Sequence, residues 1–552
     1  MAKVVEPKVN VIDFGPSMTF EKGEEIALDN GEKIAFEEKT TIGPDDWVYG
    51  AAGITYQDIG TIPELLRKKA GIGDDGNKIS KEEVERKMRN SLVNSAGAGH
   101  ASMATTPGFW VMMEGISSKM VDSLFTGARY GSSLMPSGRR IPIETEQIVV
   151  PKSIQNKGGD ELKLYLKASE NNIKAYEQLQ EKGVPKQDAA KIVQYGHRGG
   201  GFLFMPLETL ISFSKDIELG RSKIPNEGKG IINDLEDFVR ENGAKTVYEA
   251  RREAPRTGCP NPGIFHTRTN LPSELADKNI DSPKILNCCG LSTPEMGKRV
   301  QEYLQHREDL FKNPEKVKKG WQKLLQELEE IVTDYNDSIR VTTFANSPWR
   351  LWGEVKRHRT LDQTAESIYH AVERAQSAIS DYDDISPKEK LNQAEKVLGS
   401  VLSLPSEVTE SSENLKLWTE RFSESIKTYQ TLVKAGIPES DAIYVVPRGI
   451  KLGITKVYDL YNLTTGMMSL RLCNDVEPEM RATTQAEYNL IKEDKRIPSA
   501  IKDLMMVKCH TTGFCHNPKH CRNIAEAVPR YDADMHKDIK EYRIEEIRKK
   551  LK

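Results

Sequence analysis

The feature that most constrains the fold of this chain is an internal repeat. Residues 173–189 (IKAYEQLQEKGVPKQDA) align without a gap with residues 426–442 (IKTYQTLVKAGIPESDA), and eight of the seventeen positions are identical. In both copies an amphipathic segment stops at glycine, and a proline two residues later begins a short segment with aspartate, which predicts one helix followed by another. A second pair of similar segments follows, with TGCPNP at 257–262 resembling TGFCHNP at 512–518. The sequence therefore predicts two tandem copies of one domain.

The length of the chain fits such a duplication, because 552 residues exceed what one ordinary hydrophobic core holds. We predict an N-terminal extension with short strands at residues 1–50 and a first copy at 51–285. The second copy follows at 286–531, and the highly charged residues 532–552 are predicted to form a solvated tail that is helical or frayed.

The composition excludes several classes of protein. Charged residues make up 29% of the chain and its net charge is −3, which is typical of a soluble globular protein without a basic surface for nucleic acid. No window is apolar enough for a transmembrane helix, and the N-terminus lacks the pattern of a signal peptide, so we expect a cytoplasmic protein without a membrane partner. Seven cysteines, an odd and unevenly spaced set, favour free thiols or a metal site over a disulfide framework.

The main candidate binding motif is Arg357, His358 and Arg359, followed after seven residues by Ser367. Arginine offers a planar fork of donors suited to phosphate, and histidine and serine add hydrogen-bonding groups, so the motif predicts a site for an anion such as a nucleotide. For an isolated Arg-His-Arg the alternative is a solvated basic helix face.

A second candidate phosphate site lies in the first copy, in the loop that holds Ser137, Gly138 and Arg139. Glycine permits close approach of the backbone to a ligand, while serine and arginine donate hydrogen bonds. A surface turn is the alternative interpretation of the same residues.

These motifs resemble the flavin-dependent thymidylate synthases, whose signature is Arg-His-Arg, seven residues and then serine. The stretch Gly99–Ser117 resembles the family's opening pattern of Gly-His-x-Ser and Glu-Gly-Ile-Ser. Residues 436–442 resemble its Gly-Ile-Pro segment, and Leu470 with Arg471, followed by Glu479, resembles its last motif. The resemblance spans most of the chain, in two copies.

The resemblance implies an α/β (α+β) fold, with two tandem copies of a mixed, antiparallel sheet domain flanked by helices. It also implies a methyltransferase that converts dUMP to dTMP, with methylenetetrahydrofolate as the carbon donor and FAD reduced by NADPH, or by NADH as the open alternative. By the family's motif, Arg357, His358 and Arg359 would line the flavin and nucleotide pocket, and Ser367 would hold the dUMP phosphate. Arg471 would contact the uracil and be catalytic.

Several positions depart from the family's pattern. Tyr369 stands where the signature ends in arginine, Thr106 replaces a flavin-contacting histidine, and Ile443 replaces an arginine. The first copy keeps Ser137 and Arg139 for the substrate phosphate but lacks Arg-His-Arg at that spacing. Because the family assembles its sites between subunits, the resemblance implies sites shared by the two copies and a homodimer of the duplicated chain. The alternatives are a catalytically silent flavin- or nucleotide-binding regulator or scaffold, and a relative that acts on another pyrimidine nucleotide.

A cluster rich in cysteine and histidine lies near the end of the chain. Its density suits tetrahedral zinc, with Cys509, Cys515, His520 and Cys521 as candidate ligands. A compact loop with free thiols is the alternative. A zinc-stabilised nucleic-acid module is disfavoured by the near-neutral net charge.

Overall fold

The chain divides into two compact units, neither of which is a continuous stretch. A computed structural model describes residues 3–28, 31–54, 61–73, 75–117, 131–135, 147–220, 222–254 and 283–551. The first unit comprises Met1–Glu181, Ile192–Thr267 and Glu420–Pro447; the second comprises Lys182–Lys191, Arg268–Thr419 and Arg448–Lys552. Each unit thus includes a short segment from the other sequence copy, while the limits drawn between the copies stay a prediction.

The first unit is built on a four-stranded antiparallel sheet with the order β2-β7-β10-β8. Two small antiparallel pairs, β3 with β6 and β4 with β5, and a parallel pair, β1 with β9, accompany it. The strands are β1 (Lys3–Val4), β2 (Lys8–Gly15), β3 (Met18–Phe20), β4 (Glu25–Ala27), β5 (Lys33–Ala35), β6 (Thr40–Ile42), β7 (Gly108–Ser117), β8 (Ser132–Leu134), β9 (Gln147–Ile148) and β10 (Arg198–Pro206).

Strand β7 shows why this sheet forms. Phe109, Val111 and Met113 alternate along the strand and are buried on one face, whereas Trp110 between them is 37% exposed, the period of two that a half-buried strand requires. Val111 lies opposite Leu203 of β10 and packs with it in the core. Strand β2, within the stretch predicted as an N-terminal extension, is an edge strand of this same sheet.

The second unit repeats this topology. Its strands are β11 (Lys284–Gly290), β12 (Ile339–Pro348), β13 (Asp362–Ala365) and β14 (Lys451–Tyr458), and they form an antiparallel sheet with the order β11-β12-β14-β13. In chain order this is first, second, fourth, third, as in the larger sheet of the first unit. The predicted α+β class is confirmed, and the shared order supports the duplication.

Helices accompany the sheet in each unit. Those in the first unit are Pro44–Ile54, Thr61–Lys69, Lys81–Gly97, Ser102–Thr105, Lys152–Lys157, Gly159–Glu181, Leu207–Glu218, Asn226–Glu241, Lys245–Glu253 and Glu439–Ala442. Those in the second are Lys186–Ala189, Pro294–Phe311, Pro314–Tyr335, Trp349–Val355, Ile368–Asp383, Lys390–Leu398, Ser406–Thr409, Leu460–Thr464, Met467–Arg471, Pro478–Glu493, Ser499–Leu504, Lys508–Thr512, Arg522–Ala527 and Ala533–Lys550. The helix Ser412–Lys434 begins in the second unit and ends in the first. No helix in the described ranges is long and apolar enough to span a bilayer.

The repeated helix-Gly-x-Pro segment folds as predicted. Gly183 and Gly436 have φ of 86° and 88°, a left-handed conformation that ends a helix and favours glycine. Within the first unit, Asn172 Nδ2 donates to Ser425 Oγ over 3.0 Å, and Ser425 lies 253 residues further along the chain. Because this is the spacing of the repeat, equivalent positions of the two copies meet there, as they do at a two-fold axis.

The C-terminal segment forms the helix Ala533–Lys550, which Asp532 caps at its N-terminus. Its His536 and Ile539 are buried, and Lys318 Nζ lies 2.7 Å from the Asp538 carboxylate. The helix is therefore anchored along one side of its first turns, whereas Ile547 and Leu551 near its end are exposed.

Candidate functional site

The Arg-His-Arg motif lies in the turn that follows the helix Trp349–Val355, beyond the end of strand β12. Arg357 and Arg359 are exposed, and neither guanidinium group has a hydrogen-bond or ion-pair partner among the residues that the structure describes. Two unpaired guanidinium groups two residues apart present donors to a ligand with negative charge.

His358 and Arg471, which are 113 residues apart in sequence, are brought together. Arg471 Nε donates a hydrogen bond to His358 Nε2 over 3.0 Å. Arg471 also pairs with Glu354, donating from Nη1 to the carboxylate over 2.9 Å and from Nη2 to the backbone carbonyl over 3.1 Å. The Arg471 and Glu354 side chains are each 15% exposed, so this pair is largely shielded from water.

Burial and two nearby cations keep the ring of His358 neutral. Burial, the Arg471 guanidinium and the Lys456 ammonium lower the pKa of His358 to about 3. A guanidinium can only donate, so the acceptor Nε2 carries a lone pair and the proton of the neutral ring is on Nδ1.

Ser367 occupies the N-cap position of the helix Ile368–Asp383. It is 1% exposed, and its Oγ has no hydrogen-bond partner in the described part of the chain. A buried hydroxyl without a partner is unfavourable, and the adjacent helix N-terminus favours an anion. The predicted phosphate-binding role of Ser367 therefore has a physical basis in the fold.

The neighbouring Glu366 fixes the backbone next to Ser367. Its buried carboxylate accepts a hydrogen bond from the Gly453 amide of β14 over 2.8 Å. Arg374 donates two further bonds, from Nε over 2.8 Å and from Nη2 over 2.7 Å, and His370 Nδ1 lies 2.5 Å away. Although burial opposes ionisation, hydrogen bonds from His370 and Arg374 lower the pKa of Glu366.

A buried polar network lies in the same unit. Lys456 Nζ is 2.7 Å from Glu487 Oε2, and both side chains are fully buried. Thr343 Oγ1 donates to Glu487 Oε1 over 2.6 Å, and the Tyr458 hydroxyl donates to Oε2 over 3.0 Å. The network holds a charged lysine close enough to His358 to affect its pKa.

Sequence reasoning missed Glu354 and Arg350. Arg350 is 8% exposed and has no hydrogen-bond or ion-pair partner for its side chain among the described residues, although a buried cation without a counter-ion is unfavourable. Both residues lie on the helix before the motif, four positions apart, and His358 follows Glu354 by four more positions in the turn. That spacing places side chains on one face of a helix and could have drawn attention to both.

Ser137 and Arg139 lie outside the described residues, so their role in a shared site stays a prediction. Thr106 donates a hydrogen bond to the Ser102 carbonyl over 3.2 Å, and Ile443 is fully buried.

The Cys/His-rich segment is compact. Cys509 and Cys515 are buried, and burial together with neighbouring thiols raises the pKa of Cys509 to about 12. Cys473, which the sequence prediction omitted, is one of those neighbours, while His520 stacks on His536 with ring centroids 5.4 Å apart. Within the described ranges, no group of three or more histidine, cysteine, aspartate or glutamate side chains is arranged to hold a metal ion. Zinc bound by Cys509, Cys515, His520 and Cys521 stays a prediction.

A match to a family model identifies the protein family of this chain. The family model described as thymidylate synthase complementing protein matches residues 39–214 and 340–495, together more than half of the chain. The chain belongs to this family. The two matched segments fit the tandem duplication, and the second contains Arg357, Ser367 and Arg471. The Cys/His-rich segment lies beyond both.

Individual relatives are more distant. The flavin-dependent thymidylate synthase of Saccharolobus solfataricus is 33% identical over 85 residues, which cover 15% of this chain and only 30% of that protein. Among solved structures, the UMP/dUMP methylase PolB of Streptomyces cacaoi bound with 5-Br dUMP is similar with a TM-score of 0.32 and 12% identity, covering 46% of this chain and all of PolB. The ThyX of Helicobacter pylori complexed with FAD and dUMP has a TM-score of 0.25 and 12% identity, over 41% of this chain and 97% of ThyX. TM-scores this low do not by themselves establish a shared fold.

Proposed function

We propose that this chain is a flavin-dependent thymidylate synthase that methylates dUMP reductively to dTMP, with methylenetetrahydrofolate as the carbon donor and NADPH as the reductant of FAD. The observation that supports the proposal is the hydrogen bond of 3.0 Å from Arg471 Nε to His358 Nε2. The resemblance to the family implies that both residues line the site, and they come from distant parts of the second matched segment.

The nucleotide phosphate is assigned to Ser367. Its buried hydroxyl, which has no partner among the described residues, and the N-terminus of a 16-residue helix offer donors and a favourable dipole to a dianion. Tyr369 leaves the end of the signature without its arginine, and Arg350 is a cation of the same unit for which the described ranges contain no counter-ion.

The donors around the motif also fit a flavin nucleotide. The exposed guanidinium groups of Arg357 and Arg359 suit the negatively charged pyrophosphate of FAD. When bound, FAD would supply the redox chemistry, which no side chain provides. The residues of the chain bind and orient the reactants and stabilise charge.

Arg471 is assigned the catalytic role. Methylation at carbon 5 of uracil requires negative charge to develop on the ring, and a fixed guanidinium beside the ring lowers the energy of that state. Glu354 and His358 hold the Arg471 side chain before substrate arrives, so little reorganisation accompanies the reaction.

The chain would act as a homodimer, with Ser137 and Arg139 of the first copy completing sites whose flavin-facing groups come from the second copy. A silent flavin- or nucleotide-binding regulator is the second candidate, favoured by Thr106, Ile443 and Tyr369 at positions where the family has functional side chains. A relative that acts on another pyrimidine nucleotide is the third, because Tyr369 alters the nucleotide side of the motif.

The visible absorbance spectrum of the purified protein tests these candidates. We expect flavin bands that bleach with NADPH and recover when dUMP and methylenetetrahydrofolate are added, with dTMP as the product. Bound flavin without turnover would favour the silent regulator, and recovery with UMP but not with dUMP would identify a different substrate. A protein that cannot be loaded with FAD would overturn the proposal.

Replacement of Ser367 with alanine is expected to weaken dUMP binding by about 10- to 100-fold, because a hydrogen bond to a charged group contributes about 1.5–3 kcal/mol. Calorimetric titration should show this loss for dUMP and little change for deoxyuridine, which has no phosphate. Ser377→Ala is the matched control, since Ser377 is exposed on the same helix. Equal losses for dUMP and deoxyuridine would contradict a phosphate-binding role.

A further inference from the structure

The geometry around His358 assigns a role to a residue that the family motif does not include. Glu354 lies four residues before His358 and contacts Arg471 through its carboxylate and its backbone carbonyl, at 2.9 and 3.1 Å. These two contacts use both terminal nitrogens of the guanidinium. Nε is left to donate to His358.

We propose that Glu354 is a positioning residue which, by holding Arg471, fixes His358 as the neutral imidazole with its proton on Nδ1. The opposite tautomer would place an N–H against the Arg471 N–H, so that two donors face each other. The doubly protonated ring would add a second positive charge at the same point.

This tautomer makes the Nδ1–H group of His358 the hydrogen-bond donor towards a ligand. In the described part of the chain His358 Nδ1 has no partner, so its proton is available to an acceptor on a ligand. Under the proposed function, on which this chemical role rests, both the uracil and the flavin ring carry carbonyl oxygens that accept such a bond. His358 would then act as a fixed neutral donor and would not exchange a proton with solvent near neutral pH.

The surrounding charges make this state independent of pH over a wide range. The charged groups that act on His358 are Arg471, which pairs with Glu354, and Lys456, which pairs with Glu487. Since burial and the two cations lower the pKa of His358 to about 3 from an ordinary 6.5, its neutral form contributes stability above pH 6.5, and that contribution is lost progressively as the pH falls from 6.5 towards 3.

The comparison between the copies supports a functional origin for this arrangement. Glu227 and Glu479 begin equivalent 16-residue helices, Asn226–Glu241 and Pro478–Glu493, and Leu219 precedes Glu227 by the same eight residues that separate Arg471 from Glu479. Leu219 is 60% exposed. The first copy therefore folds without an arginine at this position.

Nitrogen NMR of the protein labelled with ¹⁵N-histidine tests the proposal directly. His358 is one of ten histidines, and His358→Gln identifies its signals. We expect a single neutral tautomer with the proton on Nδ1, unchanged between about pH 8 and pH 5 because the ring is already neutral throughout that range. Signals from an Nε2–H tautomer in the wild-type protein would overturn the proposal.

Variants of Glu354 separate positioning from charge. In Glu354→Ala we expect a mixture of both tautomers, because Arg471 loses its carboxylate partner, whereas Glu354→Gln keeps an acceptor and should keep the Nδ1–H form. Glu395→Ala, at an exposed site on the helix Lys390–Leu398, is the control. If Glu354→Ala fails to fold, Arg471→Lys gives the same comparison, since an ammonium lacks the planar fork that serves both partners.

An unchanged Nδ1–H tautomer in Glu354→Ala, or in Arg471→Lys when that variant is used, would show that Glu354 does not position His358. The NMR measurement of the His358 tautomer requires no flavin, substrate or turnover. Failure of this inference is therefore distinct from failure of the proposed synthase function, which the absorbance experiment decides.

Discussion

Replacement of Arg471 with alanine is expected to lower the rate of dTMP formation by about 10²–10³-fold, the usual effect of removing one preorganised donor from a developing negative charge. The dissociation constant of dUMP should change far less, because Arg471 is already engaged with Glu354 and His358 and interacts most strongly with the ring once charge has developed. Single-turnover measurements of flavin reoxidation would report the chemical step directly.

The control for this experiment must separate chemistry from stability. Arg471→Ala leaves the Glu354 carboxylate, which is 15% exposed, without its cation, so some loss of stability is expected and thermal melting should accompany the kinetics. Arg522→Ala removes an arginine that is 89% exposed and pairs only loosely with Glu526, at 3.4 Å. A folded Arg471→Ala variant that turns over at the wild-type rate would contradict the catalytic assignment.

The repeat made much of the fold predictable. The seventeen-residue alignment, with its shared glycine and proline positions, predicts two copies. The two four-stranded sheets share one strand order. What the alignment could not predict is the exchange of Lys182–Lys191 and Glu420–Pro447 between the units. Such an exchange depends on pairing between distant residues, for example the antiparallel bridge of Gln194 with Pro447, and local sequence patterns do not encode it.

The candidate site was predictable only in part. The family resemblance indicated His358 and Arg471 as site residues, and in the fold Arg471 Nε donates a hydrogen bond to His358 Nε2. The Glu354 carboxylate that pairs with Arg471 was not predictable, because an isolated glutamate on a helix is more often solvated. The Lys456 and Glu487 pair was also missed, since a buried ion pair has no periodic signature and is recognised only when both side chains are placed in the core.

Replacement of Lys456 with leucine is expected to lower the free energy of unfolding by about 3–5 kcal/mol, because it leaves the fully buried Glu487 carboxylate without its cation. Urea denaturation at neutral pH measures the loss. An exposed lysine in the same unit, Lys298, provides Lys298→Leu as the control.

The first copy shows which apolar residues could restore the free energy of unfolding that Lys456→Leu loses. Leu203 lies 253 residues before Lys456, the spacing of the repeat, and it faces Val111 as Lys456 faces Thr343. Leu235 holds the position of Glu487 in the equivalent helix, and Val111, Leu203 and Leu235 pack in one core.

The combined replacement Thr343→Val, Lys456→Leu and Glu487→Leu therefore rebuilds in the second unit a core that the first unit already uses. We expect it to unfold with a free energy equal to or above that of the wild-type protein, since apolar replacement of a buried ion pair is often neutral or stabilising. The pKa of His358 should rise towards its ordinary value once the Lys456 ammonium is gone. A stable triple variant with unaltered His358 titration would mean that the buried pair serves neither stability nor the site.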